Sequence, residues 1–209
     1  KEAKEVVDAT YSTGSTSTAS CFNFSNSLTT NRKDYNSIIM TFFKSTCYED
    51  YLPYMTKGND VVLVVNTTNL FGDEAGADDR NLDLFGDWDG GDIKYSFKYD
   101  IKEGTSGTDM IPAIRLSEMY YIMGEYFAYK DEFSKAGEML DKVRYARGIS
   151  TTNLASSIGS LEVFHTHLIK EMRREFVGEG QMFFQYKRLD QKPKDNVVFV
   201  FDKPNNEDI

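Results

Sequence analysis

Apolar positions in the second half of the chain recur every three to four residues. Leu116, Tyr120, Met123 and Phe127 make one stripe; Phe133, Ala136, Leu140 and Val143 make a second; Leu161, Phe164, Leu168, Met172 and Phe176 make a third. This spacing predicts three helices. Pro112 suits the first turn of the first helix, where a missing N–H costs nothing. Asp131 is placed to cap the second helix and Gly148 to end it, while the third begins near Ser160. Gly124, Ala128 and Ala136 are small enough to let the first two helices approach closely, so a tight turn between them predicts an antiparallel hairpin of the tetratricopeptide kind.

The first half reads differently. Glu2–Ala9 has the look of a helix remnant, and residues 11–31 are a polar Ser/Thr/Asn tract. Tyr35–Tyr51 mixes aromatics with Met40, Phe42 and Phe43 and fits a helix or an irregular stretch. Val61–Val65 is a continuous run rich in β-branched residues, the mark of a buried strand. Asp73–Asp92 is acidic and rich in glycine, which predicts a long loop. Ile93–Tyr99 alternates, with Ile93, Tyr95, Phe97 and Tyr99 on one side and Lys94, Ser96 and Lys98 on the other, a half-buried extended segment. Val197–Phe201 is a last extended segment. The predicted fold class is mainly α: tetratricopeptide-like helix hairpins plus a loop-rich irregular region with a few short strands. Residues 1–110 form a loop-rich, variable part with short strands and residues 111–209 the helical part.

Charge and composition narrow the partners. A net charge of −9 argues against a nucleic-acid backbone as ligand. No run approaches the roughly 20 apolar residues needed to span a bilayer. No signal peptide opens the chain, and its first residues read as the end of an amphipathic helix, so the expectation is a start within a protein or after processing. Cys21 follows Thr18-Ala19-Ser20 in a faint echo of a lipoprotein cleavage site, but the apolar segment such a site needs is absent upstream. Cys21 and Cys47 are compatible with one disulfide or with two thiols. No phosphate-binding Gly-Lys loop, dinucleotide fingerprint or nucleophile elbow is present, and no cofactor is implied.

Three features could carry chemistry. The densest is Glu171–Arg188, EMRREFVGEGQMFFQYKR. Glu171 and Glu175 share one helix face beside Arg173 and Arg174, which lower carboxylate pKa values. General acid–base work needs two carboxylates in different environments on opposite sides of a bond, so a structural ion-pair network is the reading, with Phe176, Phe183 and Phe184 in the core. His165 and His167 lie two apart; on a helix they point to nearly opposite sides and cannot share a metal. The third is Asp87-Trp88-Asp89-Gly90-Gly91-Asp92. Trp88 can stack on a sugar ring while Asp87 and Asp89 accept its hydroxyl hydrogen bonds; the plainer alternative is a surface turn whose Trp folds back on the core. The calcium-loop spacing and its terminal Glu are missing.

Glu171, Arg173, Arg174, Glu175, Phe176, Glu179, Gly180, Phe183, Phe184, Lys187 and Arg188 follow a pattern that resembles the C-terminal signature of the SusD/RagB family of outer-membrane nutrient-binding lipoproteins. Pro112-Ala-Ile-Arg-Leu-Ser-Glu-Met-Tyr, Leu140–Arg144, Ala146–Gly148 and the closing Phe201, Pro204 and Glu207 extend the resemblance over about residues 111–209. Met182 and Gln185 depart from it, where the family often has a basic residue and Asp. The resemblance implies a non-enzymatic protein with the N-terminal part of the typical family member absent. It implies capture of glycan, or of another nutrient oligomer such as peptide, at the cell outer membrane, and delivery to a SusC-like TonB-dependent transporter, with the membrane met only through a lipid anchor that this chain does not contain. The alternative is a helical-repeat protein–protein interaction module without a small-molecule site. A glycoside hydrolase has only the acidic count behind it.

Overall fold

A computed structural model describes residues 1–5, 24, 37–43, 64–87, 93–96, 98, 110–151 and 153–189. Through them run β1 (Ile38–Phe43), β2 (Val64–Asn66), α1 (Thr67–Phe71), a 3-10 turn (Gly72–Glu74), α2 (Asp79–Leu84), β3 (Phe85–Asp87) and β4 (Ile93–Ser96). β5 (Met110–Arg115), α3 (Leu116–Ala128), α4 (Phe133–Ala146), a second 3-10 turn (Leu154–Ser156), α5 (Leu161–Glu175) and α6 (Met182–Arg188) follow. The fold is mainly helical with a few short strands. β1 pairs with β5, and a second antiparallel sheet has the order β2-β4-β3.

The three main helices lie where their stripes place them. Leu116, Tyr120, Ala136, Leu140, Val143, Phe164, Leu168, Met172 and Phe176 are buried in one core. α3 and α4 fold back on one another around residues 129–132 and pack closely at their small residues. A Cβ on Gly124 would lie 3.0 Å from the Phe164 ring and 3.4 Å from the Ala136 carbonyl. Ser160 caps α5, its hydroxyl accepting from the Val163 N–H at 3.2 Å. Gly148, at φ 82°, stops α4: its N–H donates to the Tyr145 carbonyl at 3.2 Å and that of Ile149 to the Arg144 carbonyl at 3.0 Å. A smaller cluster of Val65, Leu70, Phe71, Leu84, Phe85 and Val177 sits beneath the three-stranded sheet.

Several local expectations are corrected. Asp131 does not cap α4; at φ 58° it ends α3, donating from its N–H to the Ala128 carbonyl while Glu132 donates to Phe127. Asp is one of the few side chains that tolerate this left-handed conformation. Pro112 is not in a helix but in β5, opposite Thr41, on a two-stranded ribbon whose edges accept a residue lacking an N–H. α3 begins four residues later, where the Arg115 N–H donates to Glu118 Oε1 at 2.9 Å. Within Tyr35–Tyr51, Ile38–Phe43 is a strand, because β5, remote in sequence, supplies its partner. Asp73–Asp92 is not one long loop: it holds the first 3-10 turn, α2 and β3, and Asp78 caps α2 through a 3.0 Å bond from the Arg80 N–H.

β4 is extended as expected, but Ile93, Lys94 and Tyr95 are all partly exposed, while Ser96 and, just beyond the strand, Lys98 are buried. Asn66 caps α1, accepting from the Asn69 N–H at 2.9 Å. Residues 61–63, Val197–Phe201, Cys21 and Cys47 lie outside the described residues.

α4 also leans on the second 3-10 turn. A Cβ on Gly137 would meet the Ala155 N at 2.5 Å and its Cα at 2.6 Å. In an exposed helix interior Gly→Ala gains about 1 kcal/mol; here the backbone contact reverses the sign. Gly137→Ala is expected to lose about 1–3 kcal/mol in chemical denaturation. A stabilised variant would mean that the turn shifts freely.

Candidate functional site

Two regions hold the residues singled out from the sequence: the paired ends of β3 and β4, with Asp87, and the buried charges of α5. Asp87 ends β3, opposite Lys94 of β4. Its carboxylate is 71% exposed and 3.8 Å from Lys94 Nζ. A pair this exposed and loose contributes little to stability, and the carboxylate is largely solvent-exposed at the end of β3. Trp88 and Asp89 follow it in sequence and lie outside the described residues.

The α5 cluster is closed. Glu171, Arg174 and Glu175 lie three and four residues apart on the inward face, and all are buried. Glu171 Oε1 accepts from Arg144 Nη1 and Arg174 Nη1, both at 3.0 Å, and its Oε2 accepts from Arg80 Nη2 at 2.9 Å. One carboxylate thus ties α2, α4 and α5 together. Glu175 accepts two bonds from Arg147, at 2.6 and 3.1 Å, and one from Arg80 Nη1 at 3.2 Å. Asp78 grips the other side of the Arg80 guanidinium with two bonds of 2.8 Å. Glu74 closes the ring, accepting from Arg144 Nη2 and Arg174 Nη1, each at 2.6 Å.

Arg174 also donates to the carbonyls of Leu70 and Phe71, at 3.1 and 2.9 Å, and stands 5.4 Å over the Phe71 ring. A second node joins Arg115 and Lys98 to Glu179: Arg115 Nη2 at 2.7 Å and Lys98 Nζ at 2.6 Å, with Lys98 also donating to the Glu175 carbonyl at 2.6 Å. The inward face of Lys98 is thereby explained.

This arrangement decides the chemistry of the glutamates. Burial alone would raise the Glu171 carboxyl; Arg80, Arg174 and Arg144 outweigh it and hold it below the usual range. Glu175 is likewise pushed up by burial and pulled well down by Arg147 and Arg80, and Glu179 is pulled down by Lys98 and Arg115. Glu74, opposed by its own burial, is held at about 2 by Arg144 and Arg174. A general acid needs the opposite shift. These carboxylates stay ionised and have their oxygens occupied by guanidinium groups, the structural role expected of them.

Two of the expected core aromatics are elsewhere. Phe176 is buried, edge-on to Tyr121 at 5.9 Å, but Phe183 and Phe184 are 70% and 68% exposed. α6 turns Met182 inward and leaves its two Phe rings outside, stacked edge to face at 5.5 Å. His165 and His167 are both on α5, and His165 packs against Tyr129 at 5.9 Å.

The partners that sequence reasoning did not assign are Glu74, Asp78, Arg80, Lys98, Arg115, Arg144 and Arg147. Arg144 and Arg147 carried a signal: basic residues at the end of an otherwise amphipathic helix, three apart. Arg80 and Asp78 carried none, since their partners stand far along the chain.

The model of the SusD family matches residues 93–206, more than half of the chain, and the chain belongs to this family. No curated protein matches it. Among solved structures it is similar to a SusD superfamily protein from Bacteroides fragilis, with 14% identity and a TM-score of 0.53 over 79% of this chain and 44% of that one. It is also similar to a candidate sugar binding protein from Bacteroides vulgatus, with 23% identity and a TM-score of 0.48 over 63% of this chain and 29% of that one. The chain therefore spans less than half the length of either.

Glu171→Gln removes the charge that balances three guanidinium groups, and the expected loss is about 3–5 kcal/mol in urea denaturation; a loss under about 1 kcal/mol would show the network to be slack. Acid should act in the same place. The folded-state carboxyls lie below their ordinary value of 4.5, so their contribution is complete above that value and is lost as pH falls from there toward about 2. A melting temperature that is flat across that window would contradict the assignment.

Proposed function

We propose that this chain binds carbohydrate without transforming it, as part of a nutrient-binding protein displayed at the cell outer membrane. Membership of the SusD family carries the reading. The charge core supplies rigidity, and the ligand is met by the variable part of the chain around Asp87, Trp88 and Asp89. An aromatic residue adjacent in sequence to two carboxylates can offer a sugar both a stacking face and hydroxyl acceptors. Bound ligand is handed to a SusC-like TonB-dependent transporter, and attachment to the membrane is through a lipid anchor. The first 110 residues form the ligand-facing region and residues 111–209 the scaffold. Peptide is the alternative ligand on the same surface.

One observation favours a second reading, a protein–protein interaction module. Ile122, Tyr126 and Tyr129 on the outer side of α3 and its following turn are about half exposed, and Phe183 and Phe184 stand out from neighbouring α6. Exposed apolar side chains on these helices are of the kind used in contacts with another macromolecule.

Isothermal titration with a panel of soluble oligosaccharides separates the two. Binding heat from the unaltered chain that falls at least about tenfold in affinity with Trp88→Ala is the expected result. Silence across the panel would move the weight to a peptide ligand or to the interaction module.

A further inference from the structure

The three-stranded sheet has two unlike faces. Residues directly opposite one another in an antiparallel ladder share a face, and neighbours along a strand alternate. The pairs Val65–Lys94 and Phe85–Ser96 therefore lie on one face, where Val65, Phe85 and Ser96 are buried. The other face carries Val64, Asn66, Gly86, Ile93 and Tyr95, all partly exposed. Val64, Tyr95 and Gly86 form one row across the strands, and Asn66 stands opposite Ile93 in the next.

The Tyr95 ring is laid down on this outer face. A Cβ on Gly86 would lie 2.8 Å from its Cε1 and Cζ and 2.9 Å from its hydroxyl oxygen. The ring thus leans from β4 across β3, over a position that glycine leaves open. Glycine inside a strand often marks such a close approach. A ring already laid down gives up little freedom when a ligand packs on it.

Asn66 adds a polar group. Its Oδ1 accepts from the Asn69 N–H at 2.9 Å, and its amide nitrogen has no hydrogen-bond partner among the described residues. Two N–H donors are therefore left on that nitrogen. Asp87 and Lys94 belong to the buried side of the ladder, so the outer face of the described strands holds no charge. An aromatic ring, aliphatic neighbours and an amide donor suit a neutral ligand that has both C–H and hydroxyl groups, as a sugar does. A charged peptide would find no counter-charge on these strands.

We propose that this outer face is a carbohydrate contact: a pyranose lays its C–H side on Tyr95 while Asn66 donates from Nδ2 to one of its hydroxyls. The inference rests on the carbohydrate reading above and places the contact on residues other than Asp87, Trp88 and Asp89.

Isothermal titration of the whole chain with cellohexaose, xylohexaose, laminarihexaose and maltoheptaose tests it. The unaltered chain is expected to bind at least one of them. Tyr95→Phe keeps the ring and is expected to stay within about threefold in affinity, whereas Tyr95→Leu keeps apolar bulk without a ring and is expected to lose at least about tenfold. Asn66→Asp keeps a capping oxygen but removes the donors, so a loss of about three- to tenfold is expected with no fall in melting temperature. Affinity unchanged in Tyr95→Leu overturns the proposal; should that variant not fold, unchanged affinity in Asn66→Asp does so. Binding that Trp88→Ala abolishes and Tyr95→Leu leaves intact overturns this contact and keeps the carbohydrate reading. Silence of the unaltered chain toward all the probes overturns both.

Discussion

The Glu171 carboxylate, shared among Arg80, Arg144 and Arg174, is the contact on which the described fold depends. It brings α2, from the half of the chain rich in loops, onto α4 and α5. Without it, three buried guanidinium groups would each lose a charged acceptor and be left to Asp78, Glu175 and Glu74. The helices have ordinary reasons to form, in their apolar stripes and caps. The ion-pair network adds a constraint on which of them meet and at what height, since its groups come from α2, α4 and α5. Buried ion pairs are poor sources of net stability but penalise any arrangement that leaves a charge unmatched, and here cations and carboxylates answer one another throughout: Arg80, Arg144, Arg147 and Arg174 against Glu74, Asp78, Glu171 and Glu175.

The same saturation gives Glu171 and Glu175 of α5 a structural role, since both are buried and occupied by guanidinium groups. Asp87, by contrast, is largely exposed at the end of β3, next to the small core of Phe71, Phe85 and Val177. A rigid frame that presents variable loops is a general solution for binding, and it suits a member of the SusD family.

What the sequence disclosed depended on the range of the interaction. Stripes, Ser160 and Gly148 are local signals, and the helices they predict are present. Asp131 was read as a cap for the helix that follows, but its backbone closes the helix before it; both jobs use the same residue type. Pro112 was assigned to a helix because the strand that claims it, β1, lies far upstream. α2 was hidden inside an acidic, glycine-rich stretch because Asp78 and Arg80 find their partners on α5. Lys98, just past β4, is buried for the same reason: a lysine reads as solvent-facing until Glu179 is placed beside it. Phe183 and Phe184 erred in the other direction, since aromatic content argues for a core and only the packing of Met182 shows which way α6 turns. Of the three residues proposed to meet a ligand, Asp87 is largely exposed and the other two lie outside the described residues.

A double-mutant cycle on Arg147 and Glu175 tests the central claim most directly, through denaturation of the unaltered chain, Arg147→Met, Glu175→Gln and the double variant. If the charge core organises the fold, the two residues are coupled by about 2–3 kcal/mol, and the double variant is far less damaged than the sum of the singles. Additive losses, with coupling near zero, would contradict it and return the organising role to the apolar stripes alone.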